Sequence, residues 1–139
     1  MPKKWRLAEA FEHFGATGKN QRWSWSARSA DGKTIVITLW KDRLDYSGKP
    51  IVYDTFKRAN LHVWIDRPGN RERIENLIWA RDRCNGLFRV VITVAEDPNA
   101  EPRKIQDCYP KDDWLMQITA LDEKTGQFRA EKIDTKSKA

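Results

Sequence analysis

The dipeptide Asp31-Gly32 lies between two runs of alternating residues and is the strongest local constraint on the fold of this chain. Asp-Gly favours the backbone angles of a tight turn, and the flanking runs 22–30 and 33–40 have the alternation of β-strands. This segment therefore predicts a β-hairpin. If the turn has two residues, the register follows, with Ala27 opposite Val36, Trp25 opposite Thr38 and Trp23 opposite Trp40.

The two faces of this predicted hairpin differ, because successive side chains of a strand point to opposite sides of the sheet. One face carries an aliphatic row and the other a tryptophan row; these are Ile35, Ile37 and Leu39, and Trp23, Trp25 and Trp40. Only one of the rows needs to be core. If the aliphatic row faces inward, the tryptophan row is a partly open surface, called here the tryptophan shelf.

The tryptophan shelf has the chemistry of a nucleotide-binding surface. Indole rings stack on bases, and basic side chains neutralise phosphates. The candidate binding residues are Trp23, Trp25 and Trp40, together with the flanking cations Lys19, Arg22 and Arg28. The alternative is structural, because aromatic pairs across a hairpin stabilise it and often lie beneath a helix.

A second candidate patch surrounds Trp64, Trp79 and the turn from Arg67 to Arg73. Trp64 is followed by Arg67, Arg71 and Arg73, and the planar fork of arginine suits phosphate groups and stacking. Charge runs are also typical of solvated helix faces. Both interpretations remain open for this patch.

The chain is basic, with 26 Lys and Arg against 20 Asp and Glu, a formal net charge of +6 and a pI near 9.4. The positive electrostatic potential of such a protein attracts polyanions. Nucleic acid is the commonest of these, and anionic membrane surfaces come next. A charge of this size also serves solubility alone. No segment is long and apolar enough to span a membrane. We therefore expect DNA or RNA as the partner and no membrane.

Two helices are predicted by periodicity. The first covers residues 4–14, where apolar residues recur at helical spacing up to a glycine. The second covers residues 71–84 and is expected to be capped by Asn70. Its predicted inward stripe consists of Ile74, Leu77, Ile78, Arg81 and Cys84.

Further strands are predicted along the chain. Short ones are expected over 51–53, 61–65 and 105–109, with Pro110 ending the last of these. The apolar, β-branched run 87–95 is expected to be a central strand packed beneath the second helix. A final hairpin is expected to pair 114–121 with 127–133.

These elements predict a single α+β domain over residues 1–134. About seven short strands would form a strongly curved antiparallel or mixed sheet, or a small β-barrel, capped by two helices. Residues 135–139 are expected to be a disordered basic tail. This architecture resembles that of the PUA-like β-barrels, whose SRA and EVE modules read modified bases. No residue motif carries the resemblance, so it implies no binding residue in this chain.

The chain offers little for catalysis or for a metal. Its cysteines, Cys84 and Cys108, and its histidines, His13 and His62, are far apart and lack metal-ligand spacing. The carboxylates and lysines do not follow the pattern of a metal-dependent nuclease, and no nucleophile signature occurs. We therefore expect no cofactor and no catalytic residue. The cysteine usage and the absence of an apolar leader indicate a cytoplasmic protein.

The sequence thus favours a noncatalytic nucleic-acid-binding module that stacks a base on tryptophan and holds phosphates with arginine, with modified-base recognition as one version. A protein-interaction module, such as an inhibitor of a nucleic-acid enzyme, is the first alternative, because Trp, Tyr and Arg also dominate protein interfaces. A small metal-dependent nuclease is the second. Binding that weakens steeply with salt would favour nucleic acid over a protein partner.

Overall fold

The structure is a computed structural model that describes residues 5–19, 24–56, 67–99 and 104–133. Within these ranges the helices are α1 (Leu7–His13) and α2 (Pro68–Arg83), and a 3-10 helix covers Lys41–Arg43. The strands are β1 (Ala16–Thr17), β2 (Ser26–Ser29), β3 (Ile35–Trp40), β4 (Leu44–Asp45), β5 (Val52–Asp54), β6 (Leu87–Ala95), β7 (Ile105–Leu121) and β8 (Phe128–Ile133).

Several predicted features fall outside the described residues. They are the strand over 61–65, the tail over 135–139, and the candidate binding residues Arg22, Trp23 and Trp64. These expectations stay predictions.

The strands form one open, mixed sheet of eight strands in the order β1-β2-β3-β6-β7-β8-β5-β4. Strands β3 and β6 are parallel, whereas the other neighbouring strands are antiparallel. The predicted α+β class with two helices is confirmed for the part of the chain described above. The alternative of a closed barrel is wrong, because β1 and β4 form the two ends of the sheet. The resemblance to PUA-like barrels loses its basis for the same reason.

The β2–β3 hairpin has the predicted register. Ala27 pairs with Val36, and Arg28 pairs with Ile35. The β-branched residues of β3 favour an extended backbone, and the alternation of apolar and polar side chains fixes which residues face each other.

The turn of this hairpin is wider than predicted. The Ser29 amide donates to the Thr34 carbonyl at 2.9 Å, so the loop covers residues 30–33. Gly32 adopts a φ of 71°, which favours glycine. The Asp31 carboxylate accepts hydrogen bonds from the Ser29 hydroxyl at 2.6 Å and from the Lys33 amide at 3.0 Å. These two bonds stabilise a longer loop than Asp-Gly alone would form.

One face of the sheet is covered by α1. Phe11 of this helix packs into a hydrophobic cluster with Ala27, Val36 and Val91 of the three neighbouring strands β2, β3 and β6. Phe11 is 2% exposed. We call this the α1 cluster, whose buried members are Ala10, Phe11, Ala16, Ala27, Val36, Val91 and Cys108.

The opposite face of the sheet packs against α2. The aliphatic row of β3 is fully enclosed, and Ile35, Ile37 and Leu39 are 1, 0 and 0% exposed. They form the larger hydrophobic cluster together with Leu77 and Ala80 of α2. The expectation that this row faces the core is confirmed.

Strand β6 is central, as predicted. It lies between β3 and β7, and its residues Val90 and Ile92 are buried in the larger hydrophobic cluster beneath α2. Val94 is only partly buried, near the end of the strand. The alternation of Val90 and Val91 between the two clusters shows that β6 is covered on both faces.

Strand β7 does not end at Pro110, so that prediction is wrong. The strand continues through the proline to Leu121. Pro110 pairs with Val91 of β6, next to a register shift between Arg89 and Val91. A bulge tolerates proline within a sheet, since the ladder is interrupted there and the missing amide is not needed. The final hairpin of β7 and β8 pairs Leu121 with Phe128, as predicted.

Two predictions about α2 are wrong. The helix begins at Pro68 with Arg67 as its N-cap, so Asn70 lies inside the helix and is fully buried. The inward face is rotated from the predicted stripe, since Arg81 is exposed and polar residues take its place. The buried residues of α2 are Gly69, Asn70, Glu72, Arg73, Asn76, Leu77 and Ala80.

Candidate nucleic-acid interface

The described residues of the tryptophan shelf, Trp25 and Trp40, do not lie on the predicted face of the sheet, and Trp23 lies outside the described residues. The sheet face on which the shelf was expected is covered by α1, which packs over Ala27 and Val36. Trp25 lies on the other side, since the Arg73 guanidinium carbon of α2 is 5.1 Å from the centroid of its ring. β2 begins only at Ser26, so the strand alternation that placed Trp25 on the shelf does not extend to it.

Trp40 is also part of the core. Its ring packs against the larger hydrophobic cluster, and its backbone amide donates to the Tyr53 hydroxyl at 3.2 Å. Trp25 and Trp40 are both partly buried. Both rings therefore lie on the side of the larger hydrophobic cluster and not on the face that the strand alternation predicts.

A polar chain links β2 to the inward face of α2. The Arg28 Nε donates to Asn76 Oδ1 at 3.1 Å, and Asn76 Nδ2 donates to the Ser26 hydroxyl at 2.8 Å. Asn76 is 3% exposed, so these bonds form away from water. The buried amide thereby fixes the direction of the Arg28 side chain.

Arg28 extends from this chain onto the indole of Trp79. Its guanidinium carbon lies 4.1 Å from the centroid of the ring, and that of Arg83 lies 4.4 Å from it. Trp79 Nε1 donates to the Gly32 carbonyl at 2.7 Å, which holds the ring against the hairpin loop. We call Arg28, Trp79 and Arg83 the arginine–tryptophan cluster.

The two arginines of the arginine–tryptophan cluster, Arg28 and Arg83, form no direct ion pair with a carboxylate in the described part of the chain. The pKa of Asp82 is nevertheless lowered by its hydrogen bond with Arg81 and also by the charges of Arg81 and Arg83. Arg28 uses only Nε for its hydrogen bond to Asn76, so both of its terminal amino groups keep their donors. Two guanidinium groups held close to one ring repel each other, and a bound anion would reduce that repulsion.

Neighbouring charges are engaged differently. Arg81 forms hydrogen bonds to Asp82 and Glu123, which raise its pKa above the usual arginine value. Asp31, on the nearby loop, has its pKa lowered by the hydrogen bonds from Ser29 and Lys33. Burial raises the pKa of the Cys84 thiol, and the charge of Arg28 opposes that rise. Arg28 and Arg83 therefore differ from Arg81 in forming no hydrogen bond to a carboxylate within the described residues.

The second predicted patch is divided by the structure. Arg67 and Arg71 are exposed at the start of α2, whereas Arg73 is 4% exposed and points into the protein. Its guanidinium carbon lies 5.3 Å from the Phe128 ring centroid, and its Nη2 donates to Asn70 Oδ1 at 3.1 Å. Arg73 therefore makes contacts inside the protein. A contact with phosphate, as predicted for it, would require its guanidinium group to be at the surface.

Lys19 is also engaged with α2. Its ammonium group pairs with Glu75 at 2.7 Å, and its backbone amide donates to Glu72 Oε2 at 2.7 Å. Glu72 is 4% exposed, and its other oxygen, Oε1, has no hydrogen-bond partner among the described residues. Lys19 thus lies beside the α2 helix, but its charge already has a partner.

Trp79 belongs to the second predicted patch, but neither it nor Arg83 was among the predicted binding residues. Trp79 is off the predicted inward stripe, four residues before Arg83, and residues at this spacing are neighbours on a helix surface. That spacing was the available signal. The approach of Arg28 to the same ring depends on how β2 packs against α2, which periodicity does not reveal.

Comparison of the chain with protein-family models, with curated proteins and with solved structures finds no match. The described residues contain no group of three or more His, Cys, Asp or Glu side chains placed to hold a metal ion. None of the helices in the described ranges is long and apolar enough to cross a membrane.

Proposed function

We propose that this protein is a noncatalytic nucleic-acid-binding module and that the arginine–tryptophan cluster is the centre of its binding surface. The observation that carries the proposal is the pair of guanidinium groups, Arg28 and Arg83, within 4.4 Å of the centroid of one indole ring and without an ion pair to a carboxylate in the described chain. A phosphodiester supplies the missing negative charge.

The geometry of Arg28 supports phosphate as the ligand. Asn76 anchors the guanidinium through Nε, and Trp79 supports its flat face, so its terminal amino groups are held in a fixed direction. A guanidinium oriented in this way binds phosphate oxygens through parallel hydrogen bonds, with little loss of side-chain freedom. The overall charge of +6 draws a polyanion to the surface before these contacts form.

The cluster also supports contacts with bases. Arginine planes and indole rings both stack on nucleobases, which explains their use by proteins that bind single strands. A single-stranded segment would place a phosphate at the terminal amino groups of Arg28 or Arg83 and a neighbouring base against the exposed planar side chains around them. Recognition of a modified base belongs to this proposal as one possible specificity.

The test compares two arginines on the same helix. Arg83→Ala removes a guanidinium group that forms no ion pair with a carboxylate in the described chain. The matched control Arg81→Ala removes a guanidinium group that is hydrogen-bonded to the carboxylates of Asp82 and Glu123. Binding of labelled single- and double-stranded DNA and RNA is measured by fluorescence anisotropy across a salt series. Strands with and without a methylated cytosine are included. Arg83→Ala should reduce the slope of log affinity against log salt by about 0.7 to 0.9 per lost contact.

The control variant should leave that slope nearly unchanged. Near-UV circular dichroism establishes that both variants fold like the wild-type protein. Failure of the folded wild-type protein to bind any of these strands at low salt would overturn the proposal. If Arg81→Ala and Arg83→Ala gave equal slopes of log affinity against log salt, the arginine–tryptophan cluster would not be the centre of the binding surface.

A further inference from the structure

Strand β7 contains a large bulge between Pro110 and Leu115. Pro110 pairs with Val91 and Leu115 pairs with Arg89, so the segment 111–114 lies opposite a single residue of β6. A bulge redirects the side chains of its strand, and bulges are common beside functional sites. The side chains of this segment are therefore a place to look for a further site.

The bulge turns Trp114 to the side of the sheet that packs against α2. Trp114 is 6% exposed and belongs to the larger hydrophobic cluster. Two ammonium groups lie over its ring, since Lys111 Nζ is 5.5 Å and Lys132 Nζ is 5.9 Å from the ring centroid. Lysine can cover apolar surface with its stem in this way while its charged end reaches water. The indole thus brings together a lysine of the bulge and a lysine of β8.

Tyr46 contacts the same ring from the loop that follows β4. Its ring centroid lies 6.5 Å from that of Trp114, yet its side chain is exposed, at 58%. The Asp45 carboxylate accepts hydrogen bonds from the Ser47 amide at 2.8 Å and from the Ser47 hydroxyl at 2.6 Å. These bonds fix the turn that carries Tyr46. We call Tyr46, Lys111 and Lys132 the tyrosine–lysine patch.

The charges of the tyrosine–lysine patch are open to an anionic ligand. Among the described residues, Lys132 forms no ion pair with a carboxylate. Lys111 pairs with Asp113 at 3.4 Å, but the Asp113 side chain is 72% exposed. An exposed pair of this kind contributes little to stability, so a phosphate can take the place of the carboxylate. An exposed aromatic ring beside lysines is the combination with which proteins bind single-stranded nucleic acid.

We propose that the tyrosine–lysine patch is a second contact for a single nucleic-acid strand, in which Tyr46 stacks on a base and Lys111 and Lys132 bind the neighbouring phosphates. This inference rests on the proposed function and extends it, because the strand would run from the arginine–tryptophan cluster to this patch. Stacking on tyrosine uses the flat face that every base has, so the contact does not depend on sequence.

The two contact regions lie towards opposite ends of β3. Trp79 donates to the Gly32 carbonyl in the loop before β3, whereas the Trp40 amide at its other end donates to the Tyr53 hydroxyl. Tyr46 follows β4, which pairs with the strand of Tyr53. The chain from Gly32 to Trp40 covers on the order of 25 Å at a rise of about 3.3 Å per residue. A nucleic-acid strand therefore needs several nucleotides to reach both regions.

The first experiment identifies the side chain that touches the base. Oligothymidine of about 12 nucleotides, within the range of known single-strand sites, carries 5-iododeoxyuridine at one position after another. Irradiation crosslinks this base to an adjacent aromatic side chain, and mass spectrometry of the digested wild-type protein locates the crosslink. A crosslink at Tyr46 is expected. If the strand is bound and Tyr46 is crosslinked from none of the positions, the inference is wrong.

The second experiment measures the contribution of the tyrosine ring. Tyr46→Ala should weaken binding of the same oligothymidine about tenfold, whereas Tyr46→Phe keeps the ring and should retain the affinity. Phe56→Ala is the matched control. Phe56 is also exposed, at 41%, but no basic side chain of the described chain lies over its ring. Urea unfolding verifies that each variant is folded under the binding conditions.

The third experiment tests the phosphate contact. Lys132→Ala should reduce the slope of log affinity against log salt by about 0.7, the value for one contact with a single strand. Lys124→Ala removes an equal charge from the exposed turn of the same hairpin and should leave the slope nearly unchanged. The comparison separates a local contact from the effect of net charge.

The outcomes distinguish this inference from the proposed function. If Tyr46→Ala and Lys132→Ala bind the strand like their controls, the tyrosine–lysine patch is not a contact, while nucleic-acid binding through the arginine–tryptophan cluster stands. If wild-type protein binds no strand of either panel, the proposed function fails as well. Binding to phosphatidylserine vesicles that requires Tyr46, when strand binding does not, would assign the patch to a membrane surface and overturn the inference.

Discussion

The two helices cover opposite faces of one sheet, and they do so with different chemistry. Beneath α1 the buried side chains are apolar or sulfur-containing, as the α1 cluster shows. Beneath α2 the helix turns Asn70, Glu72, Arg73 and Asn76 towards the protein, alongside Leu77 and Ala80. Close packing of apolar side chains is enough to stabilise the face beneath α1. Beneath α2, each buried polar atom also needs a hydrogen-bond partner.

This difference separates stability from binding. An apolar face tolerates changes that preserve volume, and it carries little information about a ligand. The polar face of α2 fixes Arg28 through Asn76 and leaves Glu72 Oε1 without a hydrogen-bond partner among the described residues. We infer that the α1 side serves stability alone, while the α2 side combines the larger hydrophobic cluster with polar contacts that orient a binding surface.

Phe11→Ala tests the α1 side and has the largest expected effect. Phe11 is 2% exposed, so its truncation should lower the free energy of unfolding by about 3–5 kcal/mol, as measured by urea titration. The affinity of the remaining folded protein for nucleic acid should not change. Phe14→Ala, at a partly buried position, is the control and should have a smaller effect. A parallel loss of affinity would break the proposed division of the two faces.

Asn76→Ala tests the α2 side. The change removes the hydrogen bonds to Ser26 and Arg28 and should lower the free energy of unfolding by about 1–3 kcal/mol. Because Arg28 loses its anchor, nucleic-acid affinity should fall as well. A double-mutant cycle with Ser26→Ala measures the bond between the two side chains. If the losses of unfolding free energy in the two single variants add up in the double variant, the hydrogen bond between Asn76 and Ser26 contributes nothing to stability. If Asn76→Ala binds nucleic acid as tightly as the wild-type protein, the proposed coupling to Arg28 is wrong.

Gly32→Ala tests the contact between the hairpin loop and Trp79. Gly32 has a φ of 71°, and a Cβ atom there would lie 2.8 Å from Trp79 Cζ2. We expect a loss of about 1–2 kcal/mol from backbone strain, and a displaced indole ring. Gly48→Ala serves as the control, since a Cβ at that position meets nothing within 4 Å. Stability is measured by urea unfolding and the environment of the indole ring by near-UV circular dichroism. Equal stabilities and equal spectra for Gly32→Ala and Gly48→Ala would contradict the expectation.

Asp31→Asn has the smallest expected effect and concerns pH. Hydrogen bonds from Ser29 and Lys33 lower the pKa of Asp31 from its ordinary value of 3.8 in the folded protein. The charged carboxylate therefore stabilises the folded state above pH 3.8, and this contribution is lost as the pH falls through the folded value. Wild-type protein should be the more stable one at neutral pH, and the difference should shrink in acid. A difference between the two unfolding midpoints that is constant with pH would contradict this assignment.

Local signals were sufficient to predict the β2–β3 hairpin and the central strand β6. Asp31-Gly32 and the β-branched residues of β3 gave the register of the hairpin, and the apolar run 87–95 identified β6 as central. These features depend on neighbours in sequence, which fix turn geometry and alternation. The passage of β7 through Pro110 was not predictable in this way, because the bulge that accommodates it involves Arg89 and Val91 of another strand.

The inward face of α2 could not be found from hydropathy. Asn70 is buried because its Nδ2 donates to the Thr125 carbonyl at 2.9 Å, far along the chain. Asn76 is buried because Ser26 accepts its hydrogen bond. A helix whose buried side chains find partners on distant strands looks exposed in its own sequence. The same limit applies to the site, where Arg28 was predicted but its meeting with Trp79 was not.

The parallel pairing of β3 with β6 has a consequence for the order of folding. The β2–β3 hairpin and the β6–β7 pair each join strands that are neighbours in sequence, whereas the ladder from Val36 to Trp40 joins Arg89 to Thr93. Closing so long a stretch of chain is entropically unfavourable and slows folding. The helix α2 lies within that stretch of chain. We therefore expect the β2–β3 hairpin to pair with the β6–β7 strands late in folding, in the same step in which the buried polar residues of α2 contact β2. Assembly of the sheet and assembly of the binding surface would then be kinetically the same step.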